Sequence, residues 1–434
     1  MTINRTYRLI ALVIAVVTYS NIATFTQNDS GYTTSYPAVV CPANGDGITS
    51  AISLASSKAL VRKGGTSSLN YKSAGSARPQ GAAQAFIVDA PAVTPISWQA
   101  RSGVWAGALT CLAPAASQWF VGGTADVTSK GTLTLVNSGL GKALVGVTVF
   151  TEKGMVREQF FNVKANSLST ISLANLAPGS QSLAIHVVPQ TGRVNAFVID
   201  ERGKGLKSLG GDTVNSTPQA LNKVVIPAIP HLVTKKKTAL GHTLRILVPG
   251  EISAHINAML TSPDGSFAPS GIDGITIAPG KVIELPLNLV APTSKFSLTI
   301  TSDRPLVAAV KSATQDGGKS DFIWSTEVPS ITAGTYSITG LAPLLVLTGE
   351  KIDISLEITS AKSKKRTVEI RGEAISTYKL ADTVRTISIK QSNSSVYGAL
   401  LFSTKSGYGF APLVEGSELT RTSVPRSNIR VLIP

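Results

Sequence analysis

"SLAIHVVPQTGRVNAFVID", residues 182–200, decides the fold. Two apolar runs of strand length are split by Pro-Gln-Thr-Gly, a cluster of turn formers. The same arrangement returns twice downstream, as "FSLTITSDRPLVAAVKS" at 296–312 and "TISIKQSNSSVYGALLFS" at 386–403. Two further elements precede each copy in a fixed order. The first reads "TLTLVNSG" (132–139), "TLRILVPG" (243–250) and "PLLVLTG" (343–349); the second reads "VGVTVF" (145–150), "HINAML" (255–260) and "IDISLEI" (352–358). Val145, Val147 and Val149 alternate with smaller or polar residues, as do Ile352, Ile354, Leu356 and Ile358. A period of two puts each set on one face of a strand. The repeat of about 100 residues has the size of an immunoglobulin-like sandwich.

The expected fold is therefore all-β, with tandem immunoglobulin-like β-sandwich units behind an N-terminal transmembrane or signal helix. Its expected divisions are 1–30 (anchor and short linker), 31–125 (an irregular, disulfide-tied unit), and sandwiches at 126–230, 231–330 and 331–434. "QAFIVDAP" at 84–91 resembles "NAFVID", so the irregular unit reads as a partial copy. "ITSAISLASSKALVRKGG", residues 48–65, carries helical spacing and a glycine stop, and is the one helix expected after the anchor.

Composition agrees with strands. Hydrophobic residues make up 43 % of the 434 and charged residues only 15 %, too few for the polar faces of surface helices. The formal net charge is +15, from 40 Lys plus Arg against 25 Asp plus Glu. Such an excess suits polyanionic partners, or simply keeps a large β-protein soluble and its sheet edges unpaired. The runs Lys235-Lys236-Lys237 and Lys362-Ser363-Lys364-Lys365-Arg366 lack interleaved aromatics, which excludes a stacking platform for nucleic acid.

Arg5 and Arg8 precede the apolar run Leu9–Val17, so the following chain is expected outside the cytoplasm. The run fits an uncleaved single-pass anchor, and also a cleavable signal peptide. Outside the cytosol the only two cysteines, Cys41 and Cys111, are expected to pair. A closed loop of this size contributes about 4 kcal/mol on the chain-entropy account. Trp98, Trp105 and Trp119 flank Cys111 in "WQARSGVWAGALTCLAPAASQWFVGG", residues 98–123. They read as core rings packed on the disulfide; the alternative is a sugar-stacking surface, with Lys235, Lys236 and Lys237 as polyanion contacts.

No enzymatic motif emerges. His186, His231, His242 and His255 are widely spread, and there is no HExxH, GxSxG, Walker loop or dinucleotide glycine pattern. His186 and His255 lie in strand-like runs and read as partnered structural residues. Ser376-Thr377-Tyr378-Lys379 and Lys405-Ser406-Gly407 stand too close together for a penicillin-binding fold. No catalytic residue, cofactor or metal is expected.

In combination, "WQARSG…CLAPAASQWFVGG", "TLTLVN", "LAPGSQSLAIHVVPQTGRVNAFVID", "PSGIDGITIAPG", "SDRPLVAAV" and "GYGFAPLVEG" resemble an actinobacterial family of exported, membrane-anchored proteins classed as a domain of unknown function. The resemblance covers most of the chain after the anchor and carries no catalytic residues. Members are often encoded near a large glycosyltransferase, which implies a cell-envelope setting. This chain is richer in lysine and poorer in acidic residues than usual members. The expected role is a non-enzymatic, membrane-anchored extracytoplasmic scaffold, partnered by envelope biosynthesis proteins or anionic wall glycan and not by nucleic acid. The alternative is a carbohydrate- or polyanion-binding module.

Overall fold

Val145, Val147 and Val149 are fully buried, and β19 below alternates buried and exposed residues along its length, so the period-two pattern does become half-buried sheet. The computed structural model describes residues 39–81, 83–89, 93–232, 240–289, 294–316, 319–362, 364–391 and 395–414. The segment expected as an anchor, and Lys235–Lys237, lie outside the described residues. No described helix is long and apolar enough to cross a membrane. The chain is all-β, and its one described helix, α1 (Leu173–Leu176), is a single turn.

Four modules follow one another. Module A holds β1 (Val39–Cys41), β2 (Thr49–Ser53), β3 (Leu60–Lys63), β4 (Lys72–Ser73), β5 (Phe86–Asp89), β6 (Thr94–Arg101) and β7 (Trp105–Thr110). Module B holds β8 (Gln118–Val121), β9 (Thr132–Asn137), β10 (Ala143–Thr151), β11 (Gly154–Met155), β12 (Gln159–Val163), β13 (Ser167–Ser172), β14 (Leu183–Thr191), β15 (Val194–Lys204) and β16 (Lys207–Val214). Module C holds β17 (Leu221–Pro230), β18 (His242–Leu247), β19 (Ala254–Ser262), β20 (Gly265–Phe267), β21 (Ile275–Ile277), β22 (Val282–Pro286), β23 (Lys295–Asp316) and β24 (Lys319–Thr326). Module D holds β25 (Gly334–Ser337), β26 (Leu344–Ser360), β27 (Lys365–Lys379), β28 (Val384–Gln391), β29 (Tyr397–Thr404) and β30 (Gly407–Pro412).

One pairing scheme recurs. In B, β8 and β10 flank β14 in one sheet, while β9 and β16 flank β15 in the facing sheet. The two runs around Pro-Gln-Thr-Gly therefore do not pair with each other; the turn carries the chain from sheet to sheet. In C, β17 and β19 pair with the first half of β23, and β18 and β24 with its second half. The turn expected at Ser302–Pro305 is absent, because β23 crosses between sheets as one continuous strand. In D the first two elements are fused instead: β26 pairs with β29 and then, past a register shift near Gly349, with β28.

Module A follows the same scheme, with β1 and β3 on β5, and β2 and β7 on β6. The segment expected to be irregular is a full copy. The helix expected over 48–65 is replaced by β2 and β3, because β2 is pinned between registers and buried at four of its five residues. Tertiary pairing overrides a weak helical spacing. Strand β17, placed by sequence at the end of the first sandwich, hydrogen-bonds to β23 of the next.

The Cys41–Cys111 disulfide spans 70 residues within module A, with its Cα atoms 4.9 Å apart. Its surroundings are Val39, Ile52, Leu54, Phe86, Val88 and Leu109. The expected tryptophan packing on the disulfide is thus corrected: aliphatic side chains and Phe86 surround it.

Candidate functional site

The modules meet through their equivalent closing strands. Strand β7 packs on β16, β16 on β24, β24 on β30, and β30 returns to β7, so four strands close a ring. Ring strands are buried on both faces; all six residues of β7 are buried. Their sequences accordingly lose alternation and carry small residues. A Cβ on Gly107 would lie 2.6 Å from Asp212 Oδ1, and one on Gly409 would lie 2.9 Å from the Ala108 amide nitrogen. Gly210, at φ +102°, leaves room for Asp321, whose Cα would be 2.7 Å from a Cβ there.

Polar groups bind the ring where backbone pairing does not. Asp212 accepts from the Trp324 amide at 2.6 Å and the Thr213 amide at 2.7 Å, and Asp200 accepts from Trp324 Nε1 at 3.0 Å. Arg245, fully buried, donates to Gly123 O and Leu183 O and pairs with Glu284 at 2.6 Å. Its guanidinium lies 4.7 Å from the Trp324 ring centroid. Burial would raise Asp200, but the charge and hydrogen bonds of Arg202, with Arg245 and Trp324, hold it below the usual carboxylate value. Burial pushes Asp212 well above that value, against the Trp324 and Thr213 amides, which pull it down.

Each end of the ring opens into a cavity. At the start of the strands a polar cavity of about 290 Å³ is lined by Val104, Thr314, Asp321 and Ser403–Tyr408. Burial raises Asp321 to about 7, although the Gly211 amide donates to it at 3.1 Å. Lys405-Ser406-Gly407 lines this mouth, whereas Ser376 and Lys379 lie on β27, with Lys379 Nζ donating to Ala342 O.

The opposite mouth, about 250 Å³, is lined from modules A, B and D and the links between modules: Leu109, Thr110 and Leu112–Pro114, Gln118 and Phe120, Asn195–Phe197, Val214–Pro218, Glu327 and Pro329, and Pro412 and Val414. It is mostly apolar. Asn215 ties the ring beneath it by donating to Ala108 O and Phe410 O, and Thr110 donates to Pro412 O. Glu327, 4 % exposed, has both carboxyl oxygens buried without a well-formed hydrogen bond, as are Asn195 Oδ1 and Thr217 Oγ1. Burial raises Glu327 to about 8, tempered by the nearby Thr217 hydroxyl and Ala308 amide.

The residues singled out from sequence take scattered positions. Trp105 is fully buried beside Ile48 and Ile199; Trp119 is buried, stacked on His186 with centroids 3.8 Å apart; Trp98 is half-buried, 5.9 Å from Phe402. The three rings form no common surface. His186 also pairs with Ser117 Oγ at 3.0 Å, whereas the His255 side chain is exposed, contrary to its expected structural pairing. His231 and His242 come together at 2.9 Å, with Ser312 Oγ 2.8 Å from His242 Nδ1. Burial and then His231 lower His242 to about 4, which leaves it neutral and structural. Among the described residues no group of three or more His, Cys, Asp and Glu could hold a metal ion. Sequence reading missed Asp200, Asp212, Arg245, Asp321 and Glu327. The available signal was faint: β16 and β24 both open with Lys-Ser and carry an aspartate soon after.

The family described as "Family of unknown function (DUF5719)" matches residues 70–390, and the chain belongs to it. No curated protein matches. Among solved structures, a Thermotoga maritima protein is 14 % identical over 25 % of this chain and 93 % of its own, with a TM-score of 0.21. A tetra-tandem repeat from the extending region of a large adhesion protein is 10 % identical over 85 % of this chain and 92 % of its own, at 0.09. Likeness at these scores carries no structural argument.

Proposed function

We propose that this family member is a non-enzymatic, extracytoplasmic interaction protein of the cell envelope, held to the membrane by its N-terminal segment. One observation carries the reading: the apolar mouth of the ring is built from modules A, B and D together with the B–C and C–D links, so it exists only in the assembled chain. The titratable groups within the ring are largely buried against fixed partners, an arrangement suited to rigidity. A disulfide inside the core of module A fits an oxidising compartment. Partners on this reading are envelope biosynthesis proteins. Two measurements test it. Leu206, fully exposed at 106 %, provides a labelling position in a chain whose two cysteines are already paired. A Leu206→Cys variant should react with a membrane-impermeant maleimide in intact cells; labelling only after lysis contradicts the reading. A photo-crosslinking residue at Leu112 should trap a discrete envelope protein, and adducts confined to cytosolic proteins would oppose it.

A second reading, contact with anionic wall polymer, is favoured by one patch. Loop 126–130 lies against the β15–β16 hairpin, through Gly203 N to Thr128 O and Lys130 Nζ to Gly205 O. These adjoining tips expose Lys130, Lys204 and Lys207 beside Val127 and Leu206. Retention on an anionic glycan resin that falls steeply with salt, and is lost when the three lysines become glutamate, supports it. Salt-independent retention opposes it.

A further inference from the structure

The apolar mouth has a chemical bias. Among the described residues Glu327 is the one titratable side chain on its lining, and none of them places a lysine, arginine or histidine there. Its buried polar atoms without well-formed hydrogen bonds are the Glu327 carboxyl, Asn195 Oδ1 and Thr217 Oγ1. Each of the three side chains can accept a hydrogen bond, and an ammonium group carries three donors and no acceptor. The remaining wall, including Leu109, Leu112, Phe120 and Pro412, is apolar. At about 250 Å³ the cavity exceeds the roughly 150 Å³ that admits a benzene ring.

We propose that this mouth binds a primary alkylammonium group, with the nitrogen on Glu327, Asn195 and Thr217 and the alkyl chain on the apolar wall. The proposal rests on the proposed function only in taking the mouth as the recognition site. Anions and divalent metals are poor alternatives, since the described lining residues supply neither a cation nor a second carboxylate. Burial keeps Glu327 protonated near neutral pH, so an arriving ammonium displaces that proton. The carboxylic acid plus the ammonium ion gives the carboxylate–ammonium pair and one proton released to solvent. The same head group occurs on free amines and on lysine side chains, and the two are separable by experiment.

The test is calorimetry on the full chain with n-pentylamine, 1-pentanol and Nα-acetyl-lysine methylamide. Pentylamine should bind at one site with close to one proton released at pH 7, read from two buffers of different ionisation enthalpy. Pentanol, with the same chain and no charge, should bind at least tenfold more weakly. The lysine derivative binding more tightly than pentylamine assigns the source to protein side chains, and the reverse order assigns it to free amines. Glu327→Gln should weaken pentylamine at least tenfold and leave pentanol unchanged. Should that variant fail to fold, Thr217→Val should weaken pentylamine about threefold. Equal binding of pentylamine and pentanol, amine binding unchanged by the substitutions, or no heat with saturating pentylamine overturns the proposal. Any of these leaves the Leu112 crosslinking outcome unaffected, so the two readings fail separately.

Discussion

The joint between modules B and C and the joint between A and D bring together the same kind of repeat by different chemistry. At B–C, ions and an aromatic ring do the joining: buried Asp200 and Arg245 both meet Trp324, Arg202 pairs with Asp200, and the more exposed Glu284 pairs with Arg245. At A–D, backbone pairing and uncharged hydroxyls donating to backbone carbonyls do it. Strands β6 and β25 pair in parallel, the Thr339 hydroxyl donates to Leu54 O, and Ser53 Oγ donates to Thr339 O. A backbone joint tolerates changes of side chain, because its donors and acceptors survive substitution. A buried ionic joint fails when one member is lost, because the remaining charge is left desolvated.

That contrast orders the predictions. Arg245→Ala should have the largest effect, about 3–5 kcal/mol, read from the urea midpoint, since it removes a fully buried guanidinium, leaves Gly123 O and Leu183 O without that donor and weakens the hold on Asp200. A loss below about 1 kcal/mol would mean that the ions contribute little and the shared apolar core holds B to C. Next, Cys111→Ser should cost about 2–4 kcal/mol, because module A has a small core and its loop is long. Calorimetry should show the loss spreading to D through the shared sheet; a loss confined to a separate early transition would deny that coupling.

Glu327→Gln should show its effect in the pH profile. The folded Glu327 is raised to about 8, so the wild type binds this proton more tightly folded than unfolded. Its contribution is present in full below about pH 4.5 and is lost as pH rises to about 8. The amide has no such slope, so the variant should match the wild type near pH 4 and exceed it by about 1–3 kcal/mol at pH 8. Parallel profiles would contradict the burial of an unpaired acid. Smallest of all, Thr339→Val should cost about 1 kcal/mol, one side-chain hydrogen bond at a joint that keeps its β6–β25 pairing and the Ser53 and Thr110 hydroxyl bonds.

How much was legible in the sequence follows from the same contrast. Strand periodicity is local, and Val145–Val149 and Ile352–Ile358 announced their faces correctly. The disulfide was legible because two cysteines allow one intramolecular pairing. Module A was misread as irregular because its strands are short and β2 is buried on both faces, which erases the alternation. The ring escaped notice for a related reason. Strands such as β7 and β16 bury small residues on both faces, and Asp212, Asp321 and Glu327 acquire their character only from neighbours some hundred residues away. Desolvation by distant modules leaves no mark on local spacing.

Closure of the ring between the first module and the last is the claim on which the mouth, its carboxyl and the proposed role all depend. Val104 in module A and Ser406 in module D line one cavity of about 290 Å³. A Val104→Cys, Ser406→Cys double variant, treated with a bis-maleimide spanning roughly the width of such a cavity, should form an intramolecular bridge in high yield. The bridged chain should migrate faster than either singly substituted chain after denaturation. Two independently capped thiols, with no bridge, would contradict a closed ring.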